Sequence, residues 1–353
     1  MYPRLKIYLK RIEENTRVVR QLCADHGIRV MGVTKACCGA PELAEAYLAG
    51  GLAMIGDSRV AKLENIEAEK WLIRPPMLSE IEDLVRYADV SLQSEMETVR
   101  AINKECEKQG KRHKIILMMD LGDIREGYVD EEELIAAAVE TEKLSRVDLY
   151  GIGTNLTCFS FIQADEEKME CLAEMRKKVE NAADHTLEIV SGGNSAALDL
   201  MMRGGICEGV DNFRLGESLL FGKERSRYTF LPGTRNDGFI LECEVVEAKV
   251  KPSLPWGTAG VDSYGRKPVF TNRGEKRKKV ICAIGRQDFD AETATPVDEG
   301  ILILGASSDH LMLDVTDSVK EYKVGDIVEL RLGYFSVLRA FTSPYVEKIF
   351  LKK

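Results

Sequence analysis

The first two thirds of this 353-residue chain repeats one unit: a short apolar run, a polar residue where the run stops, then an amphipathic stretch with helical spacing. The runs fall at 30–35, 52–57, 71–74, 90–93, 115–120, 150–156, 187–191 and 212–215, and the helical stretches between them include 42–49, 95–109, 131–144 and 166–179. Each cycle takes roughly thirty residues or fewer, which is the length of a strand followed by a covering helix. Eight such cycles predict an α/β chain built as a (β/α)8 TIM barrel. The glycine fingerprint of a dinucleotide-binding sheet is missing after the first run, which argues against an open doubly wound fold. Ahead of the cycles, Leu5, Ile7 and Leu9 alternate weakly and read as a short strand that leads into a helix over 11–25.

After Gly222 the texture changes. Residues 223–237 are polar and rich in Arg, Gly and Pro, the composition of a linker. From Gly238 onward come strand-like runs at 239–250, 279–284, 300–304, 310–315, 327–332 and 346–351, with no long helical stretch. The expected organisation is a barrel over 1–229 followed by a C-terminal β-rich domain over 230–353.

Charge and cysteine usage narrow the classes. The net charge is −9, and the one basic cluster, residues 276–279, is short and reads as a solvated turn, so a nucleic-acid partner is not expected. Nine cysteines, including the vicinal Cys37–Cys38, occur without CxxC spacing and without a secretory leader, which predicts free thiols in the cytoplasm. The four histidines, 26, 113, 185 and 310, lack metal-ligand spacing, so no metal is expected. No apolar run is long enough for a membrane span.

In a barrel of this kind the chemistry sits on the loops that follow the strands. Those positions carry Lys35, Asp57, Arg74, Asp120, Asp123, Arg125, Asn155, Thr157, Ser191–Ser195, Arg214, Gly216, Glu217 and Ser218. Lys35 closes the first run. A lysine there is either a solvated strand end or an amine made neutral for nucleophilic work. The loops after the seventh and eighth runs, Ser191–Gly192–Gly193–Asn194–Ser195 and Arg214–Leu215–Gly216–Glu217–Ser218, are tight turns or a phosphate cradle. Glycines admit an anion to the backbone N–H groups, serines add donors, and a helix N-terminus favours the charge. Lysine, cradle and a strand-eight arginine together suggest pyridoxal phosphate, held covalently by Lys35. An arginine at the pyridine nitrogen leaves that nitrogen unprotonated, a weaker electron sink that favours reprotonation of Cα over transamination. Racemisation needs an acid/base on each face of Cα. Lys35 supplies one, and Tyr264, in the glycine-flanked loop 260–265, is the candidate for the other.

The motifs Val33–Thr34–Lys35–Ala36, 120–128, Gly153–Thr154–Asn155–Leu156–Thr157–Cys158, 191–195, 214–222, Asp262–Ser263–Tyr264–Gly265 and 305–310 occur in one order across nearly the whole chain. On them the chain resembles the fold type III pyridoxal-phosphate racemases, the alanine racemase superfamily, and within it the branch acting on ornithine. The resemblance implies that Lys35 carries pyridoxal phosphate, that Arg214 faces its ring nitrogen, and that Asn194, Ser195, Gly216 and Glu217 line its phosphate end. It implies that Arg125 meets the substrate carboxylate, and that Tyr264, Ser308 and Asp309 come from the second subunit of a head-to-tail homodimer. Three positions depart from the alanine-specific pattern: residues 36–39 hold no tyrosine, Met118 stands where many members have a lysine, and Asn155 stands where they have a histidine. These departures agree with another amino acid as substrate. Ornithine would need an acceptor for its distal ammonium, for which Asp57, Asp288 and Asp309 are candidates. Lysine, alanine and serine are the other substrates in view. A barrel that binds the cofactor without turnover, or a decarboxylase, is the alternative activity. The β-rich domain distinguishes the chain from single-domain carriers, and Arg214 from decarboxylases.

Overall fold

The computed structural model of the chain describes residues 1–261 and 265–352. Two compact units emerge, Tyr8–Gly238 with Lys352, and Met1–Ile7 with Phe239–Leu351. The opening strand β1, Arg4–Tyr8, therefore joins the second unit, although it precedes the barrel in sequence.

The first unit is a closed parallel barrel. Its strands are β2 (Arg29–Val33), β3 (Met54–Asp57), β4 (Glu69–Leu72), β5 (Val90–Gln93), β6 (His113–Met119), β7 (Val147–Thr154), β8 (Ile189–Gly193) and β9 (Asn212–Leu215), in ring order. Parallel pairing of β2 with β9, Val30 beside Phe213, closes the ring. Helices α1 (Leu9–Ala24), α2 (Pro41–Ala49), α3 (Ile81–Tyr87), α4 (Met96–Gln109), α5 (Glu131–Thr141), α6 (Glu166–Ala183), α7 (Leu198–Met202) and α8 (Glu217–Phe221) complete the cycles. Asp130 and Asp165 cap α5 and α6, their carboxylates accepting from backbone N–H groups of the first turn. A core cluster joins Met31, Trp71, Val90, Leu92, Ile116, Met118, Tyr150 and Ile189. Trp71 on β4 meets Tyr150 on β7 edge to face, with centroids 6.1 Å apart. Since β4 and β7 are not ladder neighbours, the contact spans the barrel interior.

Two expectations are corrected here. Lys35 is not on a strand: β2 ends at Val33, and Lys35–Cys37 form a 3-10 turn. The cause lies in Thr34, whose hydroxyl donates to Asp57 Oδ2 at 2.8 Å and ties the turn to β3. Segment 223–237 is not a loose linker. The buried Glu224 carboxylate accepts from Ser226 N at 2.7 Å, Thr229 N at 2.9 Å and Arg227 N at 3.0 Å, folding the segment on itself.

The second unit is an antiparallel sheet of β10 (Phe239–Lys251), β11 (Arg277–Cys282), β12 (Ala294–Pro296), β13 (Leu302–Ala306), β14 (Leu311–Asp314) and β15 (Ile327–Leu332), ordered β12-β15-β10-β11-β14-β13. Strand β1 pairs with β10 and with the last strand, β16 (Glu347–Leu351). Arg277, read as part of a solvated turn, lies in β11 and is bound to Asp314 at 2.8 Å. The sequence reading does not anticipate α9, Tyr334–Thr342, which buries Val337, Ala340 and Phe341. No helix among the described residues is long and apolar enough to cross a membrane, and the cysteines there are free thiols.

One buried group makes the barrel acid-sensitive. His113 opens β6, is 1 % exposed and lies 2.8 Å from Ser91 Oγ through Nε2. Burial lowers its pKa to about 4. The unfolded chain, whose histidine titrates near the ordinary value of about 6.5, then binds more protons than the folded chain between these two pKa values, so stability falls as pH drops through that window. The full shift corresponds to about 3 kcal/mol. Urea unfolding of the wild type at pH 7, 5.5 and 4 is expected to show this loss, and His113→Gln is expected to flatten that part of the slope. An unchanged slope would assign the acid sensitivity elsewhere.

Candidate active site

The strand ends of the barrel gather the residues singled out in the sequence, except those in the second unit. Lys35 is open to solvent at the mouth, yet protein surrounds it closely enough for desolvation to lower its ammonium pKa. Of the charges acting on it, Cys158, Asp57 and Glu126 oppose that shift and Arg125 adds to it. Asp57, beside it, is 1 % exposed and accepts from Thr34 Oγ1 and from Arg59 N at 3.0 Å. Burial raises its pKa against those bonds.

Arg214, on β9, is buried without a carboxylate partner. Nη1 donates to Ser191 Oγ at 2.5 Å and Ser191 O at 3.2 Å, and Nη2 donates to Thr154 O at 2.6 Å. Nε makes no hydrogen bond among the described residues. Desolvation brings the guanidinium down to about 10, still a cation at neutral pH. Arg214 is thus a fixed positive group with one unengaged donor, seated on neutral acceptors.

The loops after β8 and β9 are the two whose sequences suggest a phosphate cradle. Ser195 Oγ lies 3.1 Å from Ser218 Oγ and accepts from Ser218 N at 3.2 Å. Gly216 precedes α8, where a Cβ would come 3.3 Å from that of Val33. Asn194 accepts from Ala196 N at 2.9 Å and donates to Leu156 O at 2.8 Å, joining the loops after β8 and β7. Glu217 turns its carboxylate to Arg225, 3.4 Å away. Desolvation raises the Glu217 pKa and Arg225 counters it.

On the loop after β6, Asp120 accepts from Gly122, Ile124 and Arg125 backbone N–H groups and fixes where Arg125 stands. The Arg125 guanidinium is paired with Glu126. Asp123, fully buried, accepts from the N–H groups of Cys158, Phe159 and Ser160 at 3.0–3.1 Å, clasping the β6 loop to the β7 loop. Neither Glu126 nor the Asp123 clasp is anticipated by the sequence reading, because adjacent charges in a polar loop look like a solvated turn. The spacing of Asp120, Asp123 and Glu126 on one short loop was the available signal.

The other predicted residues lie elsewhere. Ser308 and Asp309 sit on the exposed turn between β13 and β14 of the second unit, where Asp309 takes bonds from Ser308 Oγ at 3.2 Å and His310 Nδ1 at 2.9 Å. Tyr264 lies outside the described residues. Of the proposed ammonium acceptors, Asp57 is committed to its own turn and Asp288 is buried against Ser343 Oγ at 2.7 Å.

Residues 7–224 match the alanine racemase N-terminal domain. Over 99 % of both chains, the sequence is 41 % identical to an ornithine racemase of Acetoanaerobium sticklandii. The chain belongs to the alanine racemase family. It is accordingly a pyridoxal-phosphate-dependent amino-acid racemase. This racemase is also 39 % identical to a lysine racemase of Thermotoga maritima, again over 99 % of each chain. An alanine racemase of Clostridium difficile shares its fold, with a TM-score of 0.75 at 19 % identity over 100 % of this chain and 97 % of the other. So does an alanine racemase of Bartonella henselae that carries covalently bound pyridoxal phosphate, with a TM-score of 0.71 at 18 % identity over 99 % and 100 % of the two chains.

The residues of the racemase mouth fit that cofactor by their chemistry. An amine made easier to deprotonate, an unengaged Nε on a buried cation, and a hydroxyl pair beside a glycine-headed helix are groups that would suit its aldehyde, ring nitrogen and phosphate respectively.

Proposed function

We propose that the chain interconverts L- and D-ornithine by a two-base mechanism. The 41 % identity to an ornithine racemase along 99 % of each chain carries this reading. Lysine is the second substrate to weigh, since a lysine racemase is 39 % identical over the same span.

Lys35 would hold pyridoxal phosphate covalently, with Ser195, Asn194, Gly216 and Glu217 around its phosphate and Arg214 at its ring nitrogen. Bound pyridoxal phosphate supplies the electron withdrawal that makes the Cα proton of an amino acid removable. The Lys35 amine, once neutral, takes that proton on one face, and the Tyr264 phenol delivers a proton to the other. In the reverse direction the two exchange roles. Arg214 keeps a permanent charge at the ring nitrogen and so denies it a proton, which favours return of the proton to Cα. Arg125 engages the α-carboxylate. Tyr264, Ser308 and Asp309 would be contributed by the second subunit of a homodimer, and the cytoplasm is the compartment that nine cysteines suit best.

The deciding experiment incubates the pyridoxal-phosphate-loaded enzyme with L-ornithine, lysine, arginine, alanine, serine and glutamate, then separates enantiomers by chiral chromatography. D-ornithine in excess of every other product is expected. Preferential D-lysine would reassign the substrate, and no D-product from any of them would overturn the reading.

A further inference from the structure

We infer that Asn212 is a positioning residue: through the Ser191 hydroxyl it fixes the buried guanidinium of Arg214, so that Nε remains the donor offered to the ring nitrogen of pyridoxal phosphate. The inference rests on the reading above that Arg214 faces that nitrogen, and it names the residue that holds the arginine in place. Asn212 and Ser191 are ladder partners on β9 and β8, and both are fully buried. Hydrogen bonds run through this pair in one direction. The Asn212 amide nitrogen donates to the Arg29 carbonyl, which can only accept, at 3.2 Å. That contact settles which end of the amide is which and turns Oδ1 to Ser191 Oγ, 2.5 Å away. Arg214 Nη1, 2.5 Å from the same Oγ, can only donate. Ser191 must therefore accept from Arg214, and its single hydrogen goes to Asn212.

Arg214 depends on this relay more than an ion-paired arginine would. Among the described residues no carboxylate is bonded to it, and its acceptors are the Ser191 hydroxyl and the carbonyls of Ser191 and Thr154. The Asn155 amide reaches Nη2 only at 3.4 Å. In a dry site a cation held by neutral groups needs each of them, because a lost bond is not replaced by water. Without the Asn212 oxygen, the Ser191 hydrogen would be left unpaired or would turn toward the cation, and either outcome weakens the hold on Nη1. The guanidinium would then swing about its remaining bonds, and Nε would no longer stand in one place.

Asn212→Leu removes the amide at similar volume. Ser191→Ala leaves Asn212 and its bond to Arg29 in place, and so tests the relay even if the first variant does not fold. In the loaded enzyme, nitrogen-15 NMR follows the Arg214 Nη hydrogens, identified by their absence in Arg214→Lys. They are expected to exchange with solvent at least about tenfold faster in either variant. With nitrogen-15 in the cofactor ring, that nitrogen is expected to be unprotonated in the wild type and partly protonated in both variants at neutral pH. Pyridoxamine phosphate formed per racemisation turnover is expected to rise at least about tenfold, since a protonated ring is the stronger electron sink. The double variant should go no further than the stronger single one, because the two residues act in series. Asn212→Asp, which keeps an oxygen for the Ser191 hydrogen, is expected to retain slow exchange. Wild-type exchange in both variants, additive effects in the double variant, or faster exchange with the ring nitrogen unchanged would each overturn the inference. A protonated ring nitrogen in the wild type would sink the reading of Arg214 by itself, and the exchange rates would still decide whether Asn212 positions the guanidinium.

Discussion

Replacing Lys35 by alanine is expected to lower racemisation by at least about 10⁴-fold and to let pyridoxal phosphate leave the protein on gel filtration. Two losses combine in the one substitution. In the proposed mechanism the side chain would be both the covalent anchor and the base on one face of Cα. Its environment serves both tasks, since desolvation at the barrel mouth lowers the ammonium pKa and enlarges the neutral fraction that can attack or accept a proton. The fold should survive the change, because Lys35 sits in a 3-10 turn after β2 and its neighbour Thr34 makes the bond that ties the turn to Asp57. Circular dichroism matching the wild type, with cofactor and turnover both gone, is the expected pair of measurements. A variant that keeps the cofactor through gel filtration and still racemises would remove Lys35 from the mechanism.

Tyr264→Phe is expected to cut racemisation by about 10³-fold, within the range for loss of one general acid/base. The signature is directional. In deuterium oxide, the enantiomer whose α-hydrogen faces Lys35 should still exchange that hydrogen with retention, since one group can remove and return a proton on its own side. The opposite enantiomer should do so far more slowly. Loss of inversion with exchange kept for one enantiomer is what two bases on two faces require. Racemisation at the wild-type rate from both enantiomers would exclude Tyr264.

The barrel was readable because its evidence is periodic. Runs such as 90–93 and 212–215 coincide with β5 and β9, where every residue is buried. Boundaries moved where side-chain hydrogen bonds outweigh the hydropathy pattern: Thr34 ends β2 early through its bond to Asp57, and Glu224 folds a segment whose composition suggests a linker through three local bonds. The candidate site was legible as a set of polar strand ends, Lys35, Asn194, Ser195 and Arg214 among them. How those groups are engaged was not. That Arg214 rests on two carbonyls and a hydroxyl instead of a carboxylate, or that Asp123 gathers three N–H groups from the next loop, depends on contacts between segments tens of residues apart. Helix α9 escaped for a related reason: its nine residues sit inside a run of strand patterns, and its buried face has meaning only against the sheet.

Strand β1 belongs to a sheet whose other members follow it by more than two hundred positions: Leu5 pairs with Leu241, and Ile7 with Phe239. During synthesis β1 therefore leaves the ribosome long before the strands it pairs with. At about 5–20 residues per second, Leu5 and Ile7 wait on the order of tens of seconds for β10 to be made, and longer for β16. Through that interval two side chains destined for complete burial travel on an unpaired strand. The barrel can close in the meantime, because all of its strands lie between α1 and α8 in the chain. The sheet cannot until β16 has been made, and up to that point the nascent chain most needs protection from its neighbours.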